Sequence, residues 1–395
     1  MNKQVAIEAL GEADILCIVG ARPNFMKIAP IMAALAEAGD AVRALLVHTG
    51  QHYDAEMNDA FFRDLSIPKP DIDLGIGSAS HTVQTANIML GFEPILAATR
   101  PSAILVVGDV NSTIACALVA AKQHVPVIHV EAGLRSFDRA MPEEINRILT
   151  DQLSTLLFTT EKEAREQLCR EGVSADGIHF VGNVMIDTLM RQLDRAIEPA
   201  DTLAKYTHDN AFVHLDKGYA LLTLHRPSNV DDSAVLEPLL QSIVAVSQRL
   251  PVIFPVHPRT RAILDNTGLA GILASADNVI QLPPLGYLEM LGMMRRSTLV
   301  LTDSGGLQEE TTALGIPCIT LRENTERPVT VEEGTNTIVG LDSAKMLAVV
   351  DEVLSSGGKA GKTPVLWDGQ AAIRIRDILL SWLQTQPSYQ ARRQP

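Results

Sequence analysis

The chain has 395 residues, 46% hydrophobic and 20% charged, which gives room for two globular domains and excludes a disordered, collagen-like or low-complexity protein. Its 33 basic and 47 acidic residues leave a formal charge of −14, which argues against a nucleic-acid partner but admits small anions where a few cations line a cleft. Four widely spaced cysteines (Cys17, Cys116, Cys169, Cys318) and an N-terminus without a signal-like or membrane-spanning run lead us to expect a cytoplasmic chain that touches no membrane.

Short apolar runs alternate with helix-length patterns throughout. In the first half the runs are Asp14–Gly20, Val42–Val47, Ala103–Gly108, Val125–Val130, Leu156–Thr159 and His179–Val181. Several are too uniformly apolar to be half-exposed, which predicts parallel strands covered on both faces. In such sheets ligands bind beyond the carboxyl ends of the strands, so the residues after each run are the ones to weigh. After the first run, Gly20-Ala21-Arg22-Pro23-Asn24-Phe25-Met26-Lys27 opens a helix and places Arg22 and Lys27 near its start, ready for an anion or simply solvated. No GxGxxG or GxxxxGK string occurs, so a dinucleotide fingerprint is missing.

The second run leads to Thr49-Gly50-Gln51-His52-Tyr53-Asp54 and the third to Gly108-Asp109-Val110-Asn111, where Asp109 reads either as a helix cap or as an acid in a cleft. Next comes His129-Val130-Glu131-Ala132-Gly133-Leu134-Arg135-Ser136, then Met141-Pro142-Glu143-Glu144-Ile145-Asn146-Arg147. Glu131 stands at the end of a buried strand, where a charge needs a partner or a task. Glu143, Asn146 and Arg147 share one helical face, so Glu143 and Arg147 form either an ordinary surface pair or part of a site. Two carboxylates on separate elements suit acid and base work.

Between Asp194 and Lys217 no strand-like run occurs, and the domain seam is expected there, with domains over residues 1–195 and 196–370 and a helix at 371–386 packing back on the first. The second half repeats the pattern with Tyr219–Leu224, Val252–Val256, Asn278–Leu282, Leu299–Thr302 and Cys318–Leu321. Its strand ends carry His225-Arg226-Pro227-Ser228-Asn229, His257-Pro258-Arg259, Asp303-Ser304-Gly305-Gly306-Leu307-Gln308-Glu309-Glu310 and Thr325-Glu326-Arg327-Pro328. Ser-Gly-Gly between a strand and a helix exposes backbone N–H groups that suit a diphosphate, and a carboxylate one turn on suits ribose hydroxyls. Neither histidine has a second ligand at metal spacing, so no metal is expected. The residues alone thus give two doubly wound α/β domains with acid/base carboxylates on the first and a nucleotide-bearing anion on the second.

With GARPNFMKIAP, TGQHYD, GDVNST, HVEAGLRS, MPEEINR, LTLHR, VHP, TDSGGLQEE and TERP in that order, the chain resembles the non-hydrolysing UDP-N-acetylglucosamine 2-epimerases from about Asp14 to Gln384. The resemblance implies two Rossmann-like domains in the glycosyltransferase-B manner, an active site in the interdomain cleft, a homodimer, and no cofactor. It implies reversible conversion of UDP-N-acetylglucosamine to UDP-N-acetylmannosamine by elimination and re-addition of UDP through 2-acetamidoglucal, for cell-surface polysaccharide precursors. By the same resemblance Asp109, Glu131 and Glu143 are the acid/base candidates and His225 assists. Arg22, Lys27, Arg147, His257, Ser304, Gly305, Gly306, Glu310 and Arg327 bind the UDP-sugar or orient the carboxylates. A second substrate molecule acting as activator would touch Gln51, Arg226 and His257. Ala21 and Asn24 stand where the family has Thr and Glu, Pro227 and Ser228 where it has Arg and Glu, and Val329 where it has Glu. A hydrolysing epimerase, a glycosyltransferase-B transferase and a non-catalytic sugar-nucleotide-binding regulator remain as alternatives, and spacing does not say which carboxylate is base.

Overall fold

The computed structural model describes residues 11–50, 64, 65, 67–207 and 218–393. It separates into two compact units, residues 1–190 with 365–395, and residues 191–364. Each unit is built on one parallel sheet with helices between successive strands.

In the first unit the strands are β1 (Ile15–Val19), β2 (Ala44–His48), β3 (Ile72–Asp73), β4 (Ala103–Val107), β5 (Val127–Val130), β6 (Leu156–Thr159) and β7 (Ile178–Phe180). Their order is β3-β2-β1-β4-β5-β6-β7, the doubly wound order, with Ile15 opposite Ala44 on one side and Ala103 on the other. Every residue of β1 and β4 is buried, as the uniform apolar runs require. Four helices lead out of the strand ends that matter: α1 (Arg22–Glu37), α2 (His81–Thr99), α3 (Asn111–Lys122) and α4 (Pro142–Leu153). Ile88, Phe92 and Ile95 of α2 pack against Leu16, Ile18, Ile104 and Val106 of the sheet, forming the core on that face. The helix Ala371–Leu383 returns to pack against α1. The Asp187 carboxylate accepts the first N–H groups of that helix, Ala371 at 3.0 Å and Ala372 at 2.7 Å.

The second unit holds β8 (Ala220–Thr223), β9 (Val252–Pro255), β10 (Val279–Leu282), β11 (Leu299–Thr302), β12 (Cys318–Thr320) and β13 (Asn336–Ile338), ordered β10-β9-β8-β11-β12-β13. Leu236, Leu239, Leu240 and Ile243 of the helix Ser233–Ser247 cover Leu222, Val252 and Phe254. In each unit the strand order reverses between two central neighbours, β1 and β4 in the first and β8 and β11 in the second. Those are the switch points at which open α/β sheets bind ligands.

Two strands lie outside the expected set. β3 and β13 sit at the sheet edges and are two and three residues long, too short to leave an apolar run.

Candidate active site

At the first switch point backbone and side chains are locked by close approach. A Cβ on Gly20 would lie 1.9 Å from Ser112 Oγ and 2.7 Å from Thr49 Oγ1, so only glycine lets α3 come this near β1. Asn24 accepts the backbone N–H of Gly20 (3.3 Å) and Ala21 (3.1 Å) and donates to the carbonyl of Val107 (2.8 Å), tying the start of α1 to the end of β4. One turn on, Lys27 reaches Glu131 at the end of β5 with Nζ to Oε1 at 2.8 Å and Oε2 at 2.7 Å, both residues being buried. Glu131 has φ +71°, a left-handed conformation that carries strain for a non-glycine residue. Gly108, φ +65°, lies under the same ammonium, and a Cβ there would stand 2.9 Å from Lys27 Nζ.

Asp109 is not a cap: Val110 occupies the N-cap position of α3, with no side-chain cap bond. The Asp109 carboxylate instead pairs with Arg147 of α4. Arg147 also binds Glu144 at 2.7 Å, and Glu144 accepts the N–H groups of Ser136 and Phe137 at 2.9 Å each and the Ser136 hydroxyl at 3.0 Å. Of the two readings of Glu143 and Arg147, the ordinary surface pair is replaced by a buried Glu144–Arg147 pair. The buried partner of Arg147 is the next glutamate, because the loop 136–137 turns its N–H groups toward Glu144, while Glu143 stays half-buried. Asn146, on the same face, donates to the Asp109 carbonyl (2.9 Å) and to Asn111 (3.3 Å). Below these residues His129, fully buried, meets Asp151 at 2.7 Å through Nδ1 and the Gly108 carbonyl at 2.8 Å through Nε2. Asp151 also accepts the Gly133 N–H at 3.1 Å and pairs with Arg135 at 2.7 Å, so one buried network supports the loops that carry Asp109 and Glu131.

At the second switch point, His225 follows β8 and Asp303 follows β11, with Thr223 opposite Thr302 and their hydroxyls 2.6 Å apart. His225 Nδ1 lies 2.9 Å from the Asp303 carboxylate, and the His257 ring stands 5.5 Å from the His225 ring. His257 caps the helix Pro258–Thr267 by accepting the Arg259 N–H at 3.2 Å. Ser304 is the N-cap residue of the helix Gly305–Leu314, and Gly305 and Gly306 form its first turn. A Cβ on Gly305 would meet Glu326 Oε1 at 2.8 Å. Glu326 sits among Arg226 (3.3 Å) and Arg322 (2.9 Å), and although burial opposes ionisation, those guanidinium groups and Arg327 hold its carboxyl well below the usual range. Arg327 pairs with Glu309 at 2.7 Å. Glu310, on the same helix, accepts the Tyr287 hydroxyl at 3.0 Å, and burial pushes its carboxyl up to about 7. Among the described residues no group of three or more His, Cys, Asp or Glu side chains is placed to hold a metal ion.

A family model described as UDP-N-acetylglucosamine 2-epimerase matches residues 34–380. The chain belongs to that family. It is similar to the UDP-N-acetylglucosamine 2-epimerase of Methanococcus maripaludis, with 41% identity over 86% of this chain and 91% of the relative. It is similar also to a UDP-2,3-diacetamido-2,3-dideoxy-D-glucuronate 2-epimerase of Pseudomonas aeruginosa, 40% identical over 92% of this chain and 99% of the relative. A crystal structure of the Methanocaldococcus jannaschii UDP-GlcNAc 2-epimerase in complex with UDP-GlcNAc and UDP superposes with TM-score 0.81 at 39% identity, covering 93% of this chain and 99% of the other. The two doubly wound sheets and the epimerase family are therefore as the sequence implied.

Within this epimerase fold the structure brings together Lys27, Asp109, Glu131 and Arg147 in the first unit, and His225, Arg226, His257, Ser304, Gly305, Gly306, Glu310 and Arg327 at or near the strand ends of the second. Glu143 occupies the first turn of α4. Gln51 lies outside the described residues, and so does the side chain of Arg22, whose backbone begins α1. Sequence reasoning missed Asn24, Asp151, Asp303 and Tyr287, and assigned Glu144 no role. Asp303 carried a usable signal, a charge directly after the strand-like run Leu299–Thr302, the same kind of signal that marked Glu131.

Proposed function

We propose that this epimerase interconverts UDP-N-acetylglucosamine and UDP-N-acetylmannosamine by anti elimination of UDP and re-addition, supplying an activated aminosugar for cell-surface polysaccharide. A base takes the C2 proton as the C1–O bond to UDP breaks, leaving 2-acetamidoglucal and UDP. UDP then re-adds at C1 as a proton is delivered to the opposite face of C2. Asp109, Glu131 and Glu143 divide the proton transfers, with Lys27 and Arg147 holding two of them in place. The N–H groups of Ser304, Gly305 and Gly306, the His257 ring and the cations Arg22 and Arg327 take the diphosphate, Glu310 takes ribose hydroxyls, and His225 faces the departing phosphate.

The observation that carries this reading is the pairing of each strand-end carboxylate with its own cation, Glu131 with Lys27 and Asp109 with Arg147, on neighbouring strands of one sheet. Two carboxylates held in fixed positions by their own cations on neighbouring strand ends give the pair of proton-transfer groups that elimination and re-addition need. A homodimer working in the cytoplasm, with a second substrate molecule acting through Arg226, His257 and Gln51, belongs to the same proposal.

Incubation with UDP-N-acetylglucosamine in deuterated water, followed by NMR at C2, tests it. Deuterium at C2 in both epimeric UDP-sugars is the expected result. Free N-acetylmannosamine would assign hydrolysis instead, and absence of C2 exchange would refute the proposal. The similarity to the Pseudomonas enzyme favours a second substrate, UDP-2,3-diacetamido-2,3-dideoxy-D-glucuronate, to be run in parallel.

A further inference from the structure

Asp303 is fully buried, and the sequence reading gave it no role. Its carboxylate meets only donors. The backbone N–H of His225 (2.9 Å) and Arg226 (2.9 Å) and the Asn229 amide (3.3 Å) point at Oδ2, while the His225 ring approaches Oδ1 at 2.9 Å. Asn229 is itself fixed by donating to the Leu321 carbonyl at 2.8 Å. Burial works against ionisation of Asp303, but the His225 ring and these N–H groups outweigh it and keep the carboxyl below its ordinary range. An ionised carboxylate cannot donate, so His225 Nδ1 must, and the ring's other nitrogen is the one left on its exposed edge.

We propose that Asp303 is the positioning residue of His225: it fixes the ring with Nδ1–H toward the sheet, so that Nε2 alone takes and gives a proton at the leaving diphosphate. The inference rests on the epimerase reading for what Nε2 faces, but not for the tautomer. With Nε2 protonated, the ring is a cation compensated by Asp303. It hydrogen-bonds the diphosphate oxygen that gains charge as the C1–O bond breaks, and no bond to His225 forms. The β8–β11 pairing with the Thr223–Thr302 hydroxyl contact holds both residues in register across the switch point. A tautomer set by a buried acceptor on the far nitrogen is a general device for aiming histidine.

The test is the ring tautomer of His225, read from 15N shifts of labelled histidine in the ligand-free full-length protein, with His225→Gln to assign the signal. The neutral ring should be the Nδ1–H form. In Asp303→Asn the amide oxygen stays with the backbone N–H groups and the NH₂ turns to Nδ1, which inverts the neutral ring to the Nε2–H form. Turnover should then fall about 10²–10⁴-fold, the range of a lost proton-transfer group, with KM and UDP affinity within about 3-fold. Asp303→Glu should restore the Nδ1–H form.

A wild-type ring in the Nε2–H form would overturn the proposal even if the Asn variant failed to fold. So would an inverted ring with unchanged turnover. Because the tautomer is measured without substrate, failure of C2 exchange in the wild type would refute the epimerase reading and leave this result to be judged separately.

Discussion

Glu310 offers a quantitative test of how burial tunes the second unit. Its carboxyl is enclosed, has one donor in Tyr287, and stands next to Glu309, so burial raises its pKa from 4.5 to about 7. In the unfolded chain the same group titrates near 4.5, so between those values the folded state binds a proton that the unfolded state has lost. Stability linked to Glu310 is therefore full below pH 4.5 and declines as pH rises toward 7. At about 1.4 kcal/mol per unit, the loss between pH 5 and pH 8 is about 2–3 kcal/mol.

Glu310→Gln keeps the acceptor for Tyr287 and removes the ionisation. Urea unfolding of wild type and variant at pH 5 and pH 8 isolates the effect, because every other titrating group cancels in the difference. The variant should gain about 2–3 kcal/mol on the wild type over that interval. A wild-type-minus-variant difference that stays flat from pH 5 to pH 8 would refute the burial argument. UDP affinity should fall about 10-fold in the variant at pH 8, since an amide oxygen replaces a carboxylate facing two hydroxyls, and calorimetry reads it directly.

Three further outcomes follow from the first unit. Glu131→Gln should lower turnover about 10²–10⁴-fold in a coupled UDP-sugar assay and also lower the thermal midpoint, because it takes the carboxylate from the buried Lys27 ammonium; a folded variant with unchanged turnover would return Glu131 to a structural role. Glu143→Gln and Glu144→Gln should separate: the first depresses turnover, while the second costs about 1–3 kcal/mol in denaturant unfolding, because Glu144 serves Ser136, Phe137 and Arg147. Gly20→Ala should destabilise by about 1–3 kcal/mol, because its Cβ would overlap Ser112 and Thr49; Ser112→Ala in the same chain should recover part of the loss, measured as a shift in melting temperature.

The fold was legible where its physics is local. Runs such as Ala103–Val107 are apolar without alternation because both faces of a parallel strand are covered, and their polar sequels are polar because they leave the sheet. What stayed hidden was set by contacts between distant segments. Glu143 and Glu144 are indistinguishable by type and differ only in which one meets the N–H groups of loop 136–137. Asp151 looks like one more helix acid until the fold places it on His129, 22 residues upstream. Asp109 reads equally as a cap, and only the arrival of Arg147 from α4 decides against it. Glu310 reads in sequence as a carboxylate one turn into its helix that suits ribose hydroxyls, and its raised pKa appears only once the helix Gly305–Leu314 is buried around it.

The overall charge of −14 gains meaning from these pairings. Lys27 is engaged by Glu131, Arg147 by Asp109 and Glu144, Arg327 by Glu309, and Arg226 with Arg322 by Glu326. Each of these cations is paired with a carboxylate, Arg226 and Arg322 sharing Glu326, so the strand ends present less net positive charge than a count of Arg and Lys would give. A diphosphate at the start of the helix Gly305–Leu314 can draw on its uncharged N–H donors as well as on cations already paired with carboxylates. Asn24 fits the same logic at the first switch point. A carboxylate at 24 could accept the N–H groups of Gly20 and Ala21 but could not donate to the Val107 carbonyl, so the amide holds the end of β4 without adding a further negative charge beside Asp109 and Glu131.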